Sequence, residues 1–70
     1  MTTLEVVPGE VTIRLTFDEL YALNNALNEV CNGLDIQEFS TRMGVERDEA
    51  ATLLDQIHAL IEVLEPGGTA

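Results

Sequence analysis

Lysine and tryptophan do not occur in this chain of 70 residues, and it holds one cysteine and one histidine. Each shortage excludes something. A lone Cys31 cannot close a disulfide within the chain, and its isolation fits a reducing compartment. One cysteine and one histidine fall short of the roughly four ligands that a structural zinc takes. Three arginines against thirteen acids leave a net charge of −10, so nucleic acid and anionic membrane surfaces repel the chain. No stretch approaches the roughly 18 apolar residues of a membrane span, and no basic segment leads into an apolar run as in a signal peptide. Glycine-rich phosphate loops, C-x-x-C pairs and Ser-His-Asp or Cys-His arrangements do not occur either. The expectation is a cytoplasmic, non-catalytic protein with no cofactor and no metal, binding neither nucleic acid nor membrane.

What is present is apolar and acidic. Hydrophobic residues make up 46% of the chain, which is enough to fold. A chain this short buries only about 60% of the surface its unfolded form exposes and is marginal alone. With disulfides and zinc set aside, a second copy is the remaining source of stability, so a homodimer is expected. The acids are scattered rather than gathered in one block, which suits a highly soluble surface.

The chain reads as one small domain over residues 1–65 with a flexible tail over 66–70. Its expected fold is mainly α, with three helices after a short N-terminal β-hairpin or strand. The segments 3-TLEVV-7 and 11-VTIRL-15 are β-branched and flank Pro8-Gly9-Glu10, a turn signal. Val11, Ile13 and Leu15 alternate with Thr12 and Arg14, giving one apolar face. A lone hairpin is marginal in water, so it must lie on the helices or pair with a strand of another chain.

Helix one begins at Thr16, where Thr16 and Glu19 form a T-x-x-E capping box. It should run to about Asn32, with Gly33 as a left-handed C-cap and Leu20, Leu23, Leu27 and Val30 facing the core. Asp35 and Glu38 suggest a second capping box, opening a short helix with Ile36, Phe39 and Met43 as its apolar stripe and Gly44 as its end. Helix three follows from about Glu46 to Leu64, before Pro66-Gly67-Gly68. Ala50, Leu53, Ile57, Leu60 and Leu64 recur at helical spacing, flanked by Leu54 and Ile61. Beside that stripe lies an uncharged strip of Thr52, Gln56, Ala59 and Val63, with Asp48, Asp55, His58 and Glu62 on the opposite side. An uncharged surface this wide exceeds what one intramolecular contact needs. Thr52, Gln56, Ala59, Leu60 and Val63 are therefore candidate dimer contacts.

The stretch 39-FSTRMGVERDEAATLL-54 places Phe39, Ser40, Met43, Gly44, Val45, Ala50 and Leu53 where a helix-turn-helix puts its small and apolar residues. It resembles that arrangement in its last two helices. The spacing reports how two helices meet across a glycine turn, and DNA reading is one use of it. A DNA reader offers cations and amides at the start of its second helix; here stand Glu46, Arg47, Asp48 and Glu49.

Asn24, Asn25, Asn28 and Asn32 gather around Tyr21 on the helix-one wheel. Asparagine is a mediocre helix former, so four in one helix oppose local stability. They and Tyr21 form a candidate partner-binding patch, the bland alternative being a solvated polar face. His58, between Asp55 and Glu62, reads as a surface histidine in a charge cluster, and Cys31 as a small hydrophobe near Leu27. The function expected is a small acidic interaction or regulatory module binding another protein. The alternatives are a helix-turn-helix-type transcriptional regulator, or an acidic inhibitor that occupies the site of a nucleic-acid-binding protein.

Overall fold

Pro8 and Gly9 reverse the chain between two antiparallel strands, β1 (Thr2–Val7) and β2 (Glu10–Arg14). Gly9 takes φ 85° there, a left-handed value that glycine adopts without a Cβ penalty. The computed structural model describes residues 1–64, so the expected tail over 66–70 lies outside the described residues. After the hairpin come α1 (Phe17–Asn28), a π-helical turn (Glu29–Gly33), α2 (Phe39–Met43) and α3 (Arg47–Leu64). The fold is thus mainly helical with an N-terminal hairpin. No helix among the described residues is long and apolar enough to cross a membrane.

The strands pair Val7 with Glu10, Val6 with Val11, Glu5 with Thr12 and Thr3 with Ile13, leaving Leu4 as a bulge in β1. Partners across a ladder share a face. Val6, Val11 and Ile13 therefore form an apolar row, and Glu5, Glu10, Thr12 and Arg14 lie behind it. Neither face is covered: every residue of both strands is exposed. Of the two places the sequence allows the hairpin, the surface of its own helices is not taken.

The capping box that opens α1 forms as expected. Thr16 Oγ1 accepts from the Glu19 N–H at 3.2 Å, and Glu19 Oε1 accepts from the Thr16 N–H at 2.9 Å. The helix end differs from expectation. Regular α-helix stops at Asn28, and the last turn widens so that the Leu34 N–H donates to the Glu29 carbonyl at 2.8 Å. That wide bond satisfies a terminal carbonyl, and Gly33 is not left-handed. The left-handed C-cap at Gly33 is replaced by a π turn.

The second capping box does not form. Glu38 precedes α2 with φ 54° and ψ 51° and no side-chain cap, and Asp35 lies outside the helix. The competing term is Phe39, only 8% exposed at the helix start. Burying a phenylalanine contributes about 1.5–3 kcal/mol, against about 1 kcal/mol for a cap. Gly44 ends α2 as expected, with φ 80° and its N–H donated to the Ser40 carbonyl at 2.8 Å. The N-terminus of α3 carries half a capping box: Glu49 Oε1 accepts from the Glu46 N–H at 3.2 Å.

The core is small. Leu20, Phe39, Ala50 and Ile61 are the buried hydrophobic residues among those described. On α3 the covered line is Ala50, Leu54, Ile57 and Ile61, whereas Leu53, Leu60 and Leu64 are 48%, 53% and 55% exposed. The stripe read from the sequence is therefore displaced by about 60° around the helix. Ala50 and Ile57 belong to both lines, so spacing alone does not choose between them. α1 shows the same displacement: Leu20, Asn24 and Leu27 face inward, while Leu23, expected in the core, is 45% exposed.

Candidate functional site

Arg47 holds the helices together at one end. Its guanidinium carbon sits 4.3 Å from the centre of the Phe39 ring, and Nη1 donates to the Cys31 carbonyl at 3.3 Å. One side chain thus ties the start of α3 to α2 and to the π turn. A cation over a ring face contributes about 0.5–1 kcal/mol at an exposed site. This role was missed in the sequence, although an aromatic and an arginine eight residues apart across a glycine turn are visible there. Cys31 itself is half-buried.

Beyond the Arg47 cluster, α3 presents an open strip. All five expected dimer contacts, Thr52, Gln56, Ala59, Leu60 and Val63, are exposed, Val63 at 79%. With Leu53 and Leu64 they make a continuous uncharged surface on about a third of the helix. Thr52 returns its hydroxyl to its own helix, donating to the Asp48 carbonyl at 3.0 Å. His58 lies across the helix with Nε2 3.2 Å from Glu62 Oε1, both well exposed.

The asparagine patch divides. Tyr21, Asn25, Asn28 and Asn32 are exposed; Tyr21 stacks on Phe17 with ring centres 5.8 Å apart, and Asn32 Nδ2 donates to Asn28 Oδ1 at 3.0 Å. Asn24 stands apart from them. It is half-buried, and its Oδ1 is inaccessible with no hydrogen-bond partner. A buried acceptor left unpaired costs about 1–3 kcal/mol, so Asn24 weakens the helix pair rather than serving the open surface.

Glu19 joins the hairpin to the helices: its carboxylate accepts from the Met1 amino group as well as from the Thr16 N–H. The two hydrogen bonds, the amino group's first, hold its pKa down at about 2 from the usual 4.5. A shallow depression bordered by Leu34, Asp35, Ile36, Gln37 and Arg42 lies before and beside α2. No known protein family, characterised protein or solved structure matches the chain.

Proposed function

We propose that this chain is a non-catalytic protein–protein interaction or regulatory module that works as a homodimer and binds a further protein. The observation that carries the reading is the ratio of open to covered apolar surface. Fourteen large hydrophobic residues are exposed, against four buried hydrophobic ones among the described residues. A soluble protein leaves scattered apolar residues open, but a continuous patch of them marks a contact site. The dimensions agree. A packed chain of this length has a radius of gyration of about 11 Å; this one measures 13.8 Å and is 16 Å thick in its shortest direction.

The acids favour a partner over a polynucleotide. Arg47 is engaged with Phe39 and Cys31, which leaves Arg14 on the hairpin and Arg42 on α2 for phosphate contacts. Binding to duplex DNA grows with the number of phosphates neutralised, and Glu46, Asp48 and Glu49 sit at the end of α3 that would read bases. A helix-turn-helix regulator of this kind would need a basic partner. An acidic inhibitor of a nucleic-acid-binding protein remains the third use of the same surface. Sedimentation equilibrium at micromolar concentration tests the main reading, with a dimer mass expected. A monomer whose melting temperature does not vary with concentration refutes it. A mobility-shift assay on duplex DNA at physiological salt should show no complex; submicromolar, salt-sensitive binding moves the reading to the regulator.

A further inference from the structure

We infer that the second copy docks along the free edge of β2, so that two hairpins make one four-stranded antiparallel sheet centred on Thr12. This rests on the homodimer reading above and assigns its contact. The hairpin is uncovered on both faces, and two strands alone are marginal while three or more with an apolar face are stable. The chain exposes 5519 Å², whereas a folded protein of its mass exposes about 4,300 Å². The excess, about 1,200 Å², is more than the roughly 800 Å² that each partner contributes to a standard interface, so the chain has surface to spare for a second copy.

The two edges are not equivalent. β1 is interrupted by the Leu4 bulge, and a bulge twists an edge away from further pairing. β2 is regular from Glu10 to Arg14, with neither proline nor glycine. Val7 and Glu10 close the turn and so exchange hydrogen bonds with each other. Alternation then turns the main-chain groups of Val11 and Ile13 away from β1, to the open edge.

A two-fold axis through Thr12 uses those groups completely. Val11 of one copy meets Ile13 of the other, and the reciprocal pair forms on the far side of the axis, making roughly four main-chain hydrogen bonds. On the polar face the same register sets Glu10 opposite Arg14 of the second copy, twice. Two-fold registers shifted by one step along the strand set Glu10 opposite Thr12 or Thr16 of the second copy instead. The charge pattern of 10-EVTIR-14 is thus complementary to itself in one antiparallel register. The apolar rows of Val6, Val11 and Ile13 become continuous across the axis. Association of two chains of net charge −10 is eased where each contributes an arginine to the other's glutamate.

The test uses the full chain with Cys31→Ala. Thr12 faces its own counterpart as a non-hydrogen-bonded pair, with Cα atoms about 4.5 Å apart, inside the disulfide range of about 4.4–6.8 Å. Thr12→Cys should therefore form a covalent dimer on mild oxidation, and Ile13→Cys, offset from its counterpart, should not. Glu10→Arg or Arg14→Glu should each weaken the dimer about tenfold, and the double reversal should restore it. The positions are exposed, and unchanged helical circular dichroism verifies that each variant is folded. A dimer that neither cross-links through position 12 nor responds to the reversals overturns this edge while leaving the homodimer reading standing. A monomer overturns both.

Discussion

Ile61 and Leu60 are neighbours on α3 with opposite surroundings, and replacing each with alanine distinguishes the observed core from the stripe legible in the sequence. Ile61 is 6% exposed and Leu60 is 53% exposed. Removing a buried isoleucine side chain costs about 2–5 kcal/mol, the lost transfer term plus the cavity. A chain of this length has about 3.5–10 kcal/mol of stability in all, so Ile61→Ala should be close to unfolding. Leu60 keeps about half of a burial worth about 1.5–3 kcal/mol. Leu60→Ala should thus cost about 1 kcal/mol in the free protomer, less the few tenths that alanine gains by helix propensity. The assay is urea unfolding followed by circular dichroism at two protein concentrations well apart. A loss at Leu60 that grows with concentration marks it as a contact between chains. A loss at Leu60 as large as that at Ile61 and the same at both concentrations refutes the reasoning, because α3 would then pack on the line Leu53, Leu60 and Leu64.

Three further outcomes are expected. Gly44→Ala meets no neighbour within 4 Å of its added carbon, so its cost is the left-handed backbone alone, about 1–2 kcal/mol, read as a lower urea midpoint. The folded pKa of Glu19 is lowered, so its contribution is complete above the usual 4.5 and fades as pH falls toward 2; Glu19→Gln should flatten the fall in melting temperature across that window, and an unaltered fall counts against the contact. Replacing Asn25, Asn28 and Asn32 together with alanine gains up to about 0.7 kcal/mol per site where they are solvated; the variant should melt no lower than the parent yet lose partner binding, and a melting temperature several degrees lower shows the Asn28–Asn32 bond to be structural.

The parts of the fold legible in the sequence are those fixed by contacts between residues close in the chain. Pro8-Gly9, the Thr16–Glu19 box and Gly44 each act within four residues, and each appears where the sequence puts it. The misreadings arise where a distant residue decides. Asp35 and Glu38 have capping chemistry, but Phe39 is drawn under Arg47 and outweighs it. Leucine spacing gives the period of a helix but not its rotation, and the face α3 turns to α1 depends on both partners. The candidate surfaces were legible for a related reason. Charge is excluded from the strip on α3 whether or not leucine or isoleucine faces inward, so Thr52, Gln56, Ala59 and Val63 remain open in either rotation. Asn24 was legible only as part of the asparagine arc; its inward position follows from the rotation of α1.

The rotation of both helices has a consequence for how folding and binding are linked. Turning Leu20 and Ile61 inward leaves Leu23, Leu53, Leu60 and Leu64 about half exposed, so part of the leucine stripes gives only a fraction of its burial in a single copy. A protomer with four buried hydrophobic residues and an unpartnered Asn24 Oδ1 has little stability of its own. Any partner that covers the open strip, or any second hairpin that extends the sheet, binds the folded state and not the unfolded one. Its contribution grows as RT ln(1 + [L]/Kd), about 2.7 kcal/mol at a concentration a hundred times Kd, comparable to the whole effect of losing Ile61. Stability and partner occupancy are then one measurement. The melting temperature of this chain should rise with its own concentration, and a variant that leaves the core intact but closes the β2 edge to a second copy should melt at the same temperature however concentrated it is.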